Sequence, residues 1–276
     1  MVADVPRLES KEWGRVHRRA LSPDHPIPLP SPRAVELDFG AMKVFIVHAH
    51  PEPQSFNGAL TRHAQQVLRA EGHEVQVSDL YAMGWNPVSD RHNFTTVANP
   101  DVYKQQAEEA HAVAHHGFAP ELQAEMDKVS ACDALIFQFP LWWFSMPAIL
   151  KGWVDRVLAS GYAYGGGRWY DRGVFKGKRA MLSLTTGGGD TYFSPEGLSG
   201  DILMQLYPIN YGIFRFCGFD VLPPHISFAA ARVSPEERAA YLDSYAQRLR
   251  TLATTPPMVY PSLEEFDATF RRRVAG

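Results

Sequence analysis

The sequence predicts an open α/β fold, a doubly wound parallel sheet with helices on both faces. Short apolar runs at 43–48, 134–139 and 179–184 have the length and content of strands buried on both sides. Stretches of helical period alternate with them. The segment 43–77 reads strand, helix, strand and closes one βαβ unit.

Each element has a local reason. Lys43 to His48 is a short apolar strand. Ser55 can cap the following helix, whose Leu60, Ala64, Val67 and Leu68 fall on one face, and Gly72 ends it. His73 to Val77 is the second strand. Residues 84–117 are polar and read as a loop followed by a helix. Glu121 to Val129 is helical and leads to the strand at 134–139. Pro147 stands where a helix can begin, and Ile149, Leu150, Trp153, Val154, Val157 and Leu158 form its apolar face. Arg179 to Leu184 is a fourth strand, and Phe219 to Leu222 starts a fifth. Ser234 caps a last helix reaching about Leu252, with Glu236 and Glu237 in its first turn to suit the helix dipole. Residues 1–41 are proline-rich, hold no sustained apolar period, and read as a poorly ordered arm before a domain over 42–276. An upstream extension of the reading frame also accounts for the arm.

Composition narrows the function. The 276 residues are 45% apolar and 21% charged, and the formal charge is -3. That balance supplies no basic field for nucleic acid and no polybasic membrane signal. No apolar run approaches the roughly 20 residues of a membrane span, and no signal peptide is visible. Two cysteines, Cys132 and Cys217, fit a reducing cytoplasm better than a disulfide framework. His111, His115 and His116 crowd one segment, but solvated helix-face histidines explain them better than a metal, and no metal site is expected.

Three strand ends carry unusual loops, and ligands of open α/β sheets bind there. His48 to Asn57 runs from a strand into a helix start, where free N–H groups with His50, Ser55 and Asn57 could hold a phosphate; ordinary capping is the alternative. There is no Gly-x-Gly-x-x-Gly and no Gly-Lys-Ser/Thr. Pro140, Leu141, Trp142, Trp143 and Phe144 follow the 134–139 strand; they suit the wall of a flat ring or pack under a loop. Thr185 to Gly189 lets backbone approach a planar ligand, with hydroxyls to offer ring carbonyls, or is a flexible turn. Together the loops propose a phosphate socket beside two walls, the layout of a flavin nucleotide site.

From about Met42 to Leu252 the chain resembles the NAD(P)H:quinone oxidoreductases of the DT-diaphorase type. The matching pieces are HPEPQSFN (50–57), SDLYAMGWNP (78–87), FQFPLWWFSMPAILKGWVDRV (137–157), LSLTTGG (182–188) and FCGFDVL (216–222), in the family's order. The resemblance implies a flavodoxin-like fold, with a five-stranded parallel core in the order 2-1-3-4-5. It implies bound FAD, with FMN the weaker candidate, NADPH or NADH as donor, and a homodimer with two sites at the interface. By position, His50, Phe56 and Asn57 would meet the diphosphate, and Leu141 to Phe144 would frame the flavin with Thr185, Thr186, Gly187 and Gly188. Arg238 falls at a basic contact and Gln105 near an adenine-side glutamine. Tyr164, beside Ala163, would cover the substrate from the partner subunit, with Trp143 and Phe193 also at the acceptor.

The resemblance also implies departures. A tyrosine and a histidine that settle charge on the reduced ring are replaced by Phe193 and Ser199, and Tyr192 would need a changed backbone to substitute. A second lid tyrosine gives way to Gly165-Gly166-Gly167, and the family's long C-terminal tail is absent. The function expected is two-electron, ping-pong reduction of quinones or similar flat electrophiles, the reduced ring being stabilised by N–H donors at Thr186 to Gly188, by water or by Tyr164. Alternatives are a regulatory flavoprotein ancillary to a potassium efflux system, an FMN-dependent nitro or azo reductase, a one-electron carrier and a dead scaffold.

Overall fold

The computed structural model describes residues 40–273, so all but the end of the expected arm lies outside the described residues. Strands β1 (Lys43–His48), β2 (Glu74–Asp79), β3 (Ala134–Pro140), β4 (Arg179–Thr185) and β5 (Asp220–Val221) pair in the order β2-β1-β3-β4-β5. All of these pairings are parallel. The expected order is therefore observed. A sixth strand, β6 (His225–Ser227), adds to the sheet by pairing with the far end of β4. Pro223 and Pro224 divide β5 from β6, because proline cannot donate to a ladder.

Helices α1 (Phe56–Ala70) and α6 (Pro235–Arg250) cover one face. They close over Val44, Ile46, Ile136 and Met181 with Leu60, Leu68, Tyr245 and Leu249. Helices α2 (Gln105–His115), α3 (Pro120–Ala131), α4 (Ala148–Val157) and α5 (Ile202–Ile209) complete the set. The other face buries Phe45, Leu135, Phe137, Leu182 and Leu184 against Leu122, Met126, Leu150, Trp153 and Leu206. Residue parity along each strand assigns side chains to these two cores.

Caps appear where the sequence places them. The Ser55 hydroxyl accepts from the Gly58 amide, and Ser234 and Glu237 form a reciprocal capping box. Gly72 takes φ +84 after α1, a conformation glycine adopts without steric cost. Helix α5 and the π-helical turn behind it, Asn210–Arg215, were not anticipated. Pro208 sits inside α5 and removes one helical hydrogen bond, and the wider turn follows it. Arg156, almost wholly buried, ties the 86–93 loop down by donating to the Asn93 side chain at 2.6 Å and the Asn86 carbonyl at 2.8 Å.

Candidate active site

The three strand-end loops meet at one cleft of about 630 Å³, within the usual size of small-molecule sites. From the first loop come His50, Ser55, Phe56 and Asn57. The second gives Pro140, Leu141 and Trp142, and the third Thr185, Thr186 and Gly187. Arg238 reaches in from α6.

The phosphate end is built from a helix start. At the start of α1 the Gly58 amide is taken by the Ser55 hydroxyl and the Ala59 amide by the Ser55 carbonyl, while the Phe56 and Asn57 amides, in residues that line the cleft, have no partner among the described residues. The Glu52 amide donates to His50 Nδ1 at 3.0 Å. The His50 ring lies 6.1 Å from that of Trp142. Arg238 donates to the Val233 carbonyl at 2.7 Å, which holds its cation at the cleft. Asn57 is buried and donates to Thr185 Oγ1 at 2.8 Å.

The wall residues owe their posture to a tight turn. Trp142 and Ser145 exchange both backbone hydrogen bonds at 3.0 Å, so Trp143 and Phe144 are the centre of a two-residue hairpin. Both take left-handed φ, +50 and +57. Hairpin turns with two positive φ usually hold Asn-Gly, and bulky residues there cost about 1–2 kcal/mol each. Trp143 is 95% exposed and Phe144 52% exposed, and unlike Trp142 neither lines the cleft.

The glycine loop is braced internally. The Thr186 hydroxyl donates to the Gly188 carbonyl at 2.7 Å and accepts from the Ala229 amide at 3.3 Å, so it holds the loop instead of standing free for a ring carbonyl. The Ala229 amide also donates to the Gly188 carbonyl at 2.9 Å. Arg232 donates to the Gly187 carbonyl. The amides of Gly187 and Gly188 have no partner among the described residues. Beside this loop, Phe193 is buried, with its ring 6.3 Å from Phe228, and does not line the cleft. Tyr192 packs against Gly188, where an added Cβ would lie 2.8 Å from Tyr192 Cδ1 and 3.0 Å from Phe193 Cε2, and it does not line the cleft.

Gln105 and Tyr164 lie elsewhere. They open a separate cavity of about 230 Å³ with Glu109, Asp155, Gly212 and Phe216. The Tyr164 hydroxyl accepts from Gln106 Nε2 at 3.2 Å, and its ring sits 5.5 Å from Phe216. Ala163 is wholly buried. The wall formed by Ala230 and Ala231 was missed in the sequence; the small-residue run before the Ser234 cap was its one signal.

Burial sets the ionisable groups. Desolvation holds the His48 imidazole below its usual range, and its Nδ1 pairs with the Thr61 hydroxyl at 2.8 Å. It lowers His225 to about 4 and raises the Cys132 and Cys217 thiols to about 11 and about 12, which makes both thiols poor nucleophiles. Among the described residues no group of His, Cys, Asp or Glu is placed to hold a metal; the His111 and His115 rings stack at 4.0 Å. Among them, too, no helix is long and apolar enough to cross a membrane.

A family model for the flavodoxin-like fold matches residues 42–252. The ribosyldihydronicotinamide dehydrogenase [quinone] of Mus musculus is 46% identical over 217 residues, which are 78% of this chain and 94% of that protein. The NAD(P)H dehydrogenase [quinone] 1 of Rattus norvegicus is 40% identical over 230 residues, 83% of this chain and 84% of its own. A solved structure from Klebsiella pneumoniae, described as a candidate quinone reductase, superposes with a TM-score of 0.82 at 40% identity, covering 84% of this chain and 94% of that one. The NAD(P)H:quinone oxidoreductase of Methanothermobacter marburgensis has a TM-score of 0.60 at 26% identity, covering 77% and 98%. With this fold, this cleft and these relatives, the chain belongs to the flavodoxin-like family of quinone oxidoreductases.

Proposed function

We propose that this chain reduces quinones and similar flat electrophiles by two electrons with NAD(P)H, through a bound flavin. The observation that carries the reading is the convergence of all three strand-end loops on one cleft, with a helix start, His50 and Arg238 at one end and apolar walls at the other. The residues present fit the group. Asn57, the α1 amides and Arg238 are donors for a phosphate, the unpartnered Gly187 and Gly188 amides are donors for ring oxygens or nitrogens, and Leu141 and Trp142 supply the wall. Bound flavin supplies the redox chemistry, accepting hydride from NAD(P)H and passing it to the acceptor. The chain binds, orients and shields it.

FAD is the form we favour, on the matched loops at 50–57, 137–157 and 182–188. A homodimer accounts for Gln105 and Tyr164, which stand at a second cavity, because a partner copy can bring that cavity to the strand-end cleft. One site serving donor and acceptor in turn predicts ping-pong kinetics. Two buried, unpaired thiols suit a cytoplasmic setting.

The test is a visible spectrum of the purified protein, followed by release and identification of the cofactor and by initial rates with NAD(P)H and a quinone. A yellow protein that releases FAD and gives parallel double-reciprocal lines is the expected result. A preparation that stays colourless with excess FAD or FMN overturns the reading. Intersecting lines overturn the shared site.

A further inference from the structure

One row of the sheet breaks its apolar pattern just behind the cleft. On the α1 and α6 face, Val44 pairs with Ala134, and Ile46 with Ile136, which pairs in turn with Met181. The next row is His48, Gln138, Ser183 and His225, in register across four strands, and all four are buried. Burying such groups is costly unless they are paired. Gln138, fully buried, donates from Nε2 to Asn57 Oδ1 at 2.9 Å. Asn57 in turn donates to Thr185 Oγ1 at 2.8 Å and lines the cleft.

A side-chain amide has two N–H donors, and Thr185 takes one. The Thr185 hydroxyl can donate or accept, so it does not choose which way the Asn57 amide is turned. Gln138 does. Reversing both amides would leave the Gln138 nitrogen buried without an acceptor, where now it is the Gln138 oxygen that has no partner. Buried unpaired donors are the rarer of the two.

We infer that Gln138 is a positioning residue for the cofactor's phosphate: it holds the Asn57 oxygen inward and so reserves an Asn57 N–H for the cleft. This rests on the flavin reading above.

The test is a double-mutant cycle on flavin affinity, with Gln138→Leu, Asn57→Ala and both together, titrating apo-protein with FAD and with riboflavin. Gln138→Leu is expected to weaken FAD about fivefold. It should leave riboflavin, which has no phosphate, within about twofold, and add no loss in the Asn57→Ala background. Equal losses in both backgrounds, equal losses for the two ligands, or an unchanged FAD affinity overturn the proposal. If Gln138→Leu does not fold, Gln138→Glu serves. Its buried carboxyl donates as the amide does when protonated and only accepts when ionised, so its FAD loss should grow from pH 6 to pH 8; a pH-independent affinity refutes the assignment. A wild-type protein that binds no flavin overturns the function itself, whereas wild-type binding with additive losses overturns this inference alone.

Discussion

The three consecutive glycines at 187–189 should answer differently to alanine, although their sequence context is the same. A Cβ at Gly188 would stand 2.8 Å from Tyr192 Cδ1 and 3.0 Å from Phe193 Cε2. Carbons in ordinary contact sit about 3.5 Å apart, so roughly 0.7 Å must be found. Tyr192, 38% exposed, can swing outward, whereas Phe193 is packed against Phe228 and cannot. The alternative is to move Gly188, whose carbonyl accepts from both Thr186 and Ala229. Overpacking of this kind costs about 2 kcal/mol, or about 4–8 °C in Tm for a domain of this size. At Gly189 the added Cβ meets nothing within 4 Å, and the residue is not in the left-handed region. There alanine should raise Tm by about 1–4 °C, by restricting the unfolded chain. Gly187 also meets nothing and is not in the left-handed region, so Gly187→Ala should raise apo-protein Tm as at Gly189, but because Gly187 lines the cleft it should weaken flavin as well. Thermal melts of the three apo-proteins at one concentration, with flavin titrations alongside, make the comparison. If Gly188→Ala melts with Gly189→Ala, the packing reasoning is wrong.

Three other outcomes are expected. Trp143→Ala removes a side chain that touches little of its own chain, so Tm should stay within about 2 °C while quinone kcat/KM falls roughly three- to tenfold, read by melts and initial rates. Arg238→Ala should weaken FAD roughly tenfold or more and riboflavin far less, as measured by titration, because the lost donor is a charged one at the phosphate end. His225 has its pKa lowered to about 4 by burial, so it is neutral when folded and protonates more readily when unfolded. Its contribution is complete above about pH 6.5 and is lost as pH falls toward 4, up to about 3 kcal/mol in all. Denaturant melts of wild type and His225→Phe should therefore show a smaller stability difference between pH 7 and pH 4.5 in the variant; an equal difference removes His225 as the cause.

The parts of the fold written in local chemistry were legible in the sequence. Ser55 and Ser234 announce helix starts by bonding their own first turns, and the strands at 134–139 and 179–184 are short, mostly apolar runs buried on both faces. Elements fixed by distant partners were not legible. Helix α5 contains Pro208 and is held by burial of Leu206 and Ile209. Strand β6 is a strand because β4 offers it Ser183 to Thr185. The segment after α6 is pinned where the Met258 amide meets the Val221 carbonyl at 2.7 Å and the Leu263 amide meets Asp171 at 2.6 Å. At the site, the three loops were visible as anomalies at strand ends. Which hydroxyl would be free was not: Thr185 and Thr186 are alike in sequence, and only the neighbours Asn57 and Ala229 show that both are engaged.

The strained pair in the turn after β3 has a spectroscopic consequence. Trp143 stands in water in the native protein, so its emission should be red-shifted before any denaturant is added. Trp153, wholly buried, and Trp85, nearly so, should emit to the blue. An unfolding curve followed by tryptophan fluorescence will therefore report mainly the core around Trp153 and Trp85 and stay nearly silent about the mouth of the cleft. Quenching of the red edge alone is the signal that something has settled against the exposed pair Trp142 and Trp143.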